Sequence, residues 1–254
     1  MMKKWLMIGL MTALCGSVQA EPIRTALTKE NRLPRLYQWE GGVEFHYQEY
    51  KNNDEMMMAV PYLRRTMLRD FALFATLPYN RFDPDMGESE SGIGDATVGF
   101  EFVAYKNLFG YPWIMPHGEV KFDTGDEDKG LGTGDTEYMI GVAMGTSVGR
   151  DFHFAADARY RIMRDEDNIP SLGLSVVWDL DHRFSLLAEM EVARRKLRDE
   201  LGFREDDSNP ITFLVGMHYR ATRNQAFSIH GGGVTNSGEA GLNNIIRGKY
   251  SFRF

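Results

Sequence analysis

The chain has 254 residues, a formal net charge of −7, 16 Phe, 11 Tyr and 4 Trp residues, and a single cysteine. An acidic chain lacks the basic face that binding to phosphate backbones requires, so we expect no nucleic-acid partner. One cysteine excludes an internal disulfide framework, and no apolar run after residue 20 comes near the roughly twenty residues of a membrane-spanning helix.

The first twenty residues have the three parts of a secretory signal peptide. Lys3 and Lys4 precede an apolar stretch of about ten residues, and Val18-Gln19-Ala20 follows before the predicted cleavage point. Cleavage removes Cys15, the only cysteine, and leaves about 234 residues with two fewer positive charges. We therefore predict a signal peptide over residues 1–20.

Apolar and polar residues alternate with period two from residue 36 to the C terminus, which is the pattern of β-strands. We predict an all-β fold, a transmembrane antiparallel up-and-down β-barrel of about 12 strands. The predicted domains are a polar N-terminal leader over 21–34 and the barrel over 35–254. The predicted strands are 36–50, 57–68, 71–82, 93–105, 113–122, 136–148, 152–163, 172–181, 183–198, 211–222, 226–235 and 241–254.

The connections between these strands alternate in length. Short connections such as 149–151 alternate with longer acidic ones such as 123–135. Outer-membrane barrels have short periplasmic turns and longer outer loops, so we predict that both termini are periplasmic. A soluble β-sandwich is the alternative, although it has no reason to alternate its loop lengths. Pro61 and Pro78 lie inside strands two and three, where proline indicates a bulge, a strand end or an edge.

The last strand ends on Phe254 and has the character of a barrel-closing strand. Its even-numbered residues are apolar or aromatic, whereas Arg247, Lys249 and Arg253 fall on the other face. We expect the barrel-assembly machinery to recognise this strand and the basic face to meet the acidic face of strand one. An interfacial girdle of aromatic side chains is predicted from Tyr37, Trp39, Tyr47, Trp113, Trp178 and Tyr250.

The polar faces predict the lining of a pore. The predicted pore-lining residues are Glu40, Glu44, Glu119, Lys121, Asp157, Arg159, Arg161, Glu189, Glu191, Arg195, Arg220, Arg247 and Lys249. Confined charges of both signs should pair, so a purely structural ladder of salt bridges is the alternative interpretation. We predict a narrow constriction lined by Arg159, Arg161, Arg195 and Arg220 against Glu189, Glu191 and Asp157.

One wall of the predicted pore carries only small side chains. Strands six and eight place Gly141, Ala143, Gly145, Ser147, Gly173 and Ser175 on the inner face. We expect this wall to be recessed and to leave an aqueous path opposite the charged wall. On this hypothesis, replacing Gly141 and Gly145 with leucine blocks the channel without unfolding the barrel.

Two segments carry a family resemblance. Ser91-Gly92-Ile93-Gly94-Asp95 before a strand, and Lys121-Phe122-Asp123-Thr124-Gly125-Asp126 followed by Gly130-Leu131-Gly132-Thr133-Gly134-Asp135, resemble the outer-membrane family named for the meta-pathway of phenol degradation. Members are described as transporters, so the resemblance implies an uptake channel for small, including aromatic, molecules. Asp123 is a departure, because the family usually has proline at that position.

The same segments raise the question of a metal site. Asp123, Asp126, Glu127, Asp128 and Asp135 are hard oxygen ligands close in sequence, but their spacing matches no known calcium loop. A solvated loop, or one meeting divalent ions on lipopolysaccharide, is the preferred interpretation. For Gly92, Gly94, Asp95 and Gly125 we favour turn chemistry over a ligand site.

No catalytic constellation is visible in the sequence. His46, His117, His153, His218 and His230 all fall on predicted inner faces, and no GxSxG motif occurs. We therefore predict a channel for passive passage of small solutes, with no catalytic residue, no cofactor and no metal, in contact with outer-membrane lipid and lipopolysaccharide. The alternatives are a plugged structural or adhesion barrel and an outer-membrane lipid hydrolase.

Overall fold

The computed structural model describes residues 25–30, 33, 36–106, 112–164, 168–194, 209–237 and 241–254. The predicted signal peptide lies outside these residues. The fifteen strands of the described part, numbered in chain order, are β1 (Trp39–Tyr50), β2 (Glu55–Leu68), β3 (Phe71–Thr76), β4 (Tyr79–Asp83), β5 (Glu90–Ile93), β6 (Thr97–Phe102), β7 (Tyr105–Lys106), β8 (Trp113–Lys121), β9 (Glu137–Val148), β10 (Phe152–Ile162), β11 (Ile169–Asp179), β12 (Phe184–Ala193), β13 (Ile211–Arg220), β14 (Gln225–Thr235) and β15 (Leu242–Arg253). Within these ranges no helix is long and apolar enough to cross a membrane.

The fifteen strands build twelve barrel strands. β3 and β4 form one barrel strand, because both pair with β2 in a single continuous register. The break between them falls at Pro78, which has no backbone N–H for the ladder. β5, β6 and β7 follow one another along the next barrel strand. Because β1 pairs with both β2 and β15, the sheet closes on itself. The predicted twelve-stranded antiparallel barrel is confirmed.

Side chains alternate between two surfaces along the strands. On β10, Phe152, Phe154 and Tyr160 are exposed on the outer surface, whereas Asp157 is fully buried and Arg159 partly buried on the inner one. The outer surface of the barrel is thus apolar and the inner one charged. This arrangement suits a lipid surround and is the one that outer-membrane barrels have.

The closing strands have the predicted register. Arg253 lies opposite Glu40, and Lys249 lies opposite Glu44. The side chain of Arg253 is buried at 2% exposure, so the basic face of β15 points into the barrel. Pairing of opposite charges across the seam supports the register that closes the barrel.

Aromatic side chains cover much of the outer surface near the strand ends. Trp178 stacks on Phe152 with 5.6 Å between the ring centroids. For Trp113 the predicted girdle position is wrong, because Trp113 is 2% exposed and packs inside the barrel. It shares a strand face with His117, whose side chain also points inward. The alternation of inward and outward side chains along β8 therefore places Trp113 inside, against the usual preference of tryptophan for a membrane interface.

The first residues of β1 and the last residues of β15 lie side by side at the same end of the barrel, which we name the terminal end. The connections 69–70, 149–151, 180–183 and 221–224 at this end are short. The opposite end, the loop end, carries the connections 51–54, 84–89 and 122–136, together with 163–168, 194–210 and 236–241, which are described only in part. The alternation in length agrees with the sequence analysis.

Candidate functional site: the barrel lumen

A short N-terminal segment, residues 25–30, lies inside the barrel; we name it the lumen segment. The backbone N–H groups of Ala26, Leu27 and Thr28 donate to the carboxylate of Glu189, with N···O distances of 2.7, 2.8 and 3.2 Å. Glu189 lies on β12 and is 4% exposed. One buried carboxylate therefore fixes three consecutive residues of the stretch that the sequence suggests is only a polar leader.

Thr28 occupies the wall of small residues. Its hydroxyl donates to Ser175 Oγ at 2.7 Å, and its methyl carbon lies 2.9 Å from where a Cβ on Gly173 would stand. The small residues of β11 thus make room for the lumen segment. The prediction of an open recess is therefore wrong at Gly173 and Ser175, because Thr28 of the chain's own N-terminal region fills the space there.

Lys29 connects two further lumen carboxylates. Its backbone N–H donates to Asp157 Oδ2 at 3.1 Å, and its ammonium group donates to Glu101 Oε1, also at 3.1 Å. The ammonium nitrogen stands 4.6 Å from the ring centroid of Phe74, which is a cation–π contact. A cavity of about 270 Å³ adjoins this side chain.

Apolar contacts complete the attachment of the N-terminal residues. Leu27 packs with Leu214, Val234 and Ile245 in a buried cluster. Leu33 packs against a second buried cluster, formed by Val103, Trp113, Met115, Ala143 and Ala155. Because full burial of a leucine is worth about 1.5–3 kcal/mol, the buried Leu27 contributes about this much, and the half-buried Leu33 contributes less.

Rings from β8 fill the small-residue wall at Gly141 and Gly145. The Trp113 ring lies 2.3 Å from the Cβ position of Gly145, and the His117 ring lies 2.5 Å from that of Gly141. His117 Nε2 is 2.9 Å from Asp157 Oδ1. Leucine at either glycine would therefore meet a packed ring and not an open lumen, so the interpretation behind the predicted blocking substitutions is wrong.

A network of buried ion pairs crosses the barrel seam. Arg64 lies 3.0 Å from Glu101 and 3.4 Å from Glu40, and Glu40 also pairs with Arg253. The Glu40 side chain is fully buried. Such charges are tolerated away from water only when they are paired, so this network holds four barrel strands in register.

The loop end of the lumen holds a second cavity, of about 260 Å³. On its charged side Arg159 pairs with Glu191, and Arg161 lies 3.4 Å from Glu137. Its other side is apolar and includes Met139, Ile169, Val234 and Leu242. Val234 also belongs to the cluster that holds Leu27, so this cavity lies next to the lumen segment.

The residues predicted to line a pore are distributed over the whole lumen. Arg195 lies outside the described residues. Arg220 lies at the terminal end, where its guanidinium donates to the backbone carbonyl oxygen of His182. The others occupy inner-face positions in the lumen: Glu40, Glu44, Glu119, Lys121, Asp157, Arg159, Arg161, Glu189, Glu191, Arg247 and Lys249. Their pore-lining role stays a prediction.

Sequence reasoning missed several charged residues of the lumen. Lys29, Arg64, Glu101 and Glu137 all take part in the ion pairs described above. Glu101 stands between Phe100 and Phe102, so strand alternation alone could have identified it. Arg64 is followed by Arg65, and two adjacent arginines hide which face of β2 points inward.

Asp95 joins the two motif segments at the loop end. Its carboxylate accepts the backbone N–H of Gly125 and of Thr133, each at 2.9 Å, that of Thr124 at 3.2 Å, and the hydroxyl of Thr133 at 3.0 Å. A Cβ on Gly132 would stand 2.7 Å from Asp95 Oδ1. Asp95 therefore fixes the loop 122–136 and not its own turn, which is a wider role than the turn chemistry favoured from the sequence.

The family assignment rests on a match that includes both motif segments. Residues 58–239 match the family model described as "Putative MetA-pathway of phenol degradation". The chain belongs to this family. The resemblance inferred from the two glycine-rich segments is confirmed, and a search of the curated proteins finds no match.

Solved structures similar to this family member are outer-membrane barrels. An outer membrane channel from Pseudomonas putida F1 has a TM-score of 0.71 at 14% identity, over 91% of this chain and 100% of that one. The NanC porin has a TM-score of 0.59 at 12% identity, over 84% and 98% of the two chains. The KdgM porin, in complex with oligogalacturonate, has a TM-score of 0.56 at 13% identity, over 84% and 99%. These similarities establish the fold.

One serine–histidine contact is relevant to the alternative of an outer-membrane lipid hydrolase. His218 Nδ1 lies 3.0 Å from Ser228 Oγ. Both side chains are buried on the inner face of the barrel, away from its lipid-facing surface. Across the described ranges, no group of three or more His, Cys, Asp or Glu side chains is placed to hold a metal ion.

Proposed function

We propose that this family member is an outer-membrane channel through which small solutes pass without a chemical step. The observation that supports the proposal is a closed barrel with an apolar outer surface and a charged lumen that contains cavities of about 260 and 270 Å³. A barrel of twelve strands is wider than the small barrels that side chains fill, so the groups inside it decide what passes. The lumen segment is one of these groups.

We propose the following placement in the cell. Residues 1–20 are cleaved as a signal peptide, the barrel-assembly machinery recognises the C-terminal strand, and the terminal end faces the periplasm. The loop end, with its acidic loop 122–136, then faces the lipopolysaccharide. Similarity to outer-membrane channels and porins supports this placement, and labelling of a cysteine introduced at Asp128 on intact cells tests it.

The family name supports small organic molecules, including aromatic ones, as the solutes. Passage is tested by swelling of liposomes that contain the purified protein, with neutral solutes of increasing size. We expect swelling with the smallest solutes and none with disaccharides, because the lumen segment narrows the path. Liposomes with heat-denatured protein are the control. Absence of swelling for every solute would contradict a constitutively open channel.

A plugged structural barrel is the second candidate. The hydrogen bonds of the lumen segment to Glu189, Asp157 and Ser175 favour it, because they fix the segment across the lumen. Deletion of residues 25–30 does not by itself separate the two candidates. A channel mutant gains permeability to solutes and antibiotics, and so does a plugged barrel, but only the channel passes solute with the segment in place.

A further inference from the structure

We propose that the position of Lys29 in the lumen is a binding site for short aliphatic diamines, which the lumen segment occupies as a built-in competitor. This inference rests on the proposed channel function, because the solute reaches the site through the lumen. It follows from the two N–H donors of Lys29, from the carboxylates of Asp157 and Glu101 that accept them, and from the number of carbon atoms between the two donor nitrogens.

The spacing of the acceptors sets the length of the solute. A single residue, Lys29, spans the site, with its backbone nitrogen on Asp157 and its side-chain nitrogen on Glu101. Five carbon atoms separate the two nitrogens of a lysine residue, and the same number separates the two amines of 1,5-diaminopentane. A charged ammonium donates a stronger hydrogen bond than a neutral amide does. The diamine should therefore bind Asp157 more strongly than the backbone N–H of Lys29 does.

The charge of the site selects cations. Ala26, Leu27, Thr28 and Lys29 of the lumen segment donate to barrel side chains, and Arg247 donates to the carbonyl oxygen of Ala26. If the segment leaves, Asp157 keeps His117 and the more distant Arg159, at 3.9 Å, and Glu101 keeps Arg64, but each carboxylate loses a donor. Buried carboxylates are stable only with their donors, so a replacement has to bring N–H groups and positive charge.

The walls of the site suit an alkylammonium group. The ring face of Phe74 lies 4.6 Å from the Lys29 ammonium and offers a cation–π contact at the Glu101 end. The adjoining cavity of about 270 Å³ is also lined by Tyr62, Thr76 and Thr97. The barrel cations that line this cavity are Arg64 and Lys249. Arg64 is already paired with Glu40 and Glu101, and Lys249 with Glu44, so neither is an unpaired partner for a dianion of the same length.

The test is block of ion current through single channels by 1,5-diaminopentane. We compare the wild type with a variant lacking residues 25–30, and that variant with Glu101→Gln or Asp157→Asn added. We expect the deletion to lower the half-blocking concentration at least tenfold, since the competitor is gone, and each added substitution to raise it at least tenfold. Asp128→Asn is the control: it neutralises one carboxylate of the exposed loop 122–136, outside the site, and block should change less than twofold.

Two further probes define the outcome. Neutral 1,5-pentanediol and the dianion glutarate have the same five-carbon chain and should not block. Equal block by the diol, or block that Glu101→Gln leaves unchanged in a correctly folded barrel, overturns the proposal. Folding is checked by heat-modifiable gel migration. If Glu101→Gln does not fold, Phe74→Leu, which removes the ring beside the ammonium position, is used in its place. If no variant conducts, the channel function fails. Calorimetric titration of the detergent-solubilised deletion variant with the diamine then tests the binding site independently of conduction.

Discussion

Single buried carboxylates organise both the lumen and the loop end. Glu189 receives three backbone N–H groups of the lumen segment, and Asp95 receives three from the loop 122–136. A carboxylate offers only acceptors, so it suits a cluster of N–H donors better than an amide does. Each residue can therefore be tested by an isosteric substitution that changes only its acceptor character.

We expect Glu189→Gln to loosen the lumen segment. The amide brings an NH₂ group against N–H donors, and a buried donor left without an acceptor costs about 1–3 kcal/mol. A spin label on a cysteine introduced at Thr25 should report higher mobility in Glu189→Gln than in the parent. Glu119→Gln is the control and should leave the label immobile. An unchanged spectrum in Glu189→Gln would show that the other contacts of the lumen segment hold it without Glu189.

Asp95→Asn should free the loop at the loop end. Lys129 lies in this loop and is exposed, so trypsin cleavage there reports loop opening. We expect cleavage at least tenfold faster than in the wild type, because a loss of about 1.4 kcal/mol multiplies the open population by ten. Asp128→Asn removes the same charge from an exposed position and should cleave at the wild-type rate. Equal rates for both variants would contradict the role given to Asp95.

At the scale of strands, buried charge pairs close the barrel. The seam between β1 and β15 carries Glu40 with Arg253, which are fully buried, and Glu44 with Lys249 at 2.8 Å, which are partly exposed. A buried partner left alone is strongly destabilising, whereas a pair that water reaches contributes little. The two pairs therefore differ in energy although they lie on the same two strands.

A double-mutant cycle separates the two pairs. We expect a coupling free energy above about 1 kcal/mol for Glu40→Gln with Arg253→Gln, and below about 1 kcal/mol for Glu44→Gln with Lys249→Gln. Urea unfolding in lipid vesicles, followed by tryptophan fluorescence, measures both. A larger coupling for the second pair would contradict the burial argument.

The packing of β8 against β9 predicts the cost of a single methyl group. Gly145→Ala places a Cβ 2.3 Å from the Trp113 ring, so we expect a loss of about 1–3 kcal/mol of unfolding free energy. Gly231→Ala is the matched control, because a Cβ on this strand glycine meets nothing within 4 Å and should change stability little. Trp113→Ala should rescue Gly145→Leu; failure to do so would show that the ring is not the obstacle.

At the scale of the molecule, strand alternation and loop lengths were sufficient to predict the barrel and its seam. The pairing of Glu40 with Arg253 follows from the opposite charges of the first and last strands. The contents of the lumen could not be predicted in this way. Alternation tells which way Gly145 faces, but not that the Trp113 ring covers it, and residues 25–30 have no strand period that would place them inside.

The central claim is that a charged lumen forms a channel that the N-terminal segment restricts. Single-channel recording in planar bilayers, with wild-type protein beside the variant lacking residues 25–30, tests it most directly. We predict small, stable current steps from the wild type and steps at least threefold larger from the variant, both absent after heat denaturation. No steps from either protein, or steps of equal size from both, would contradict this account.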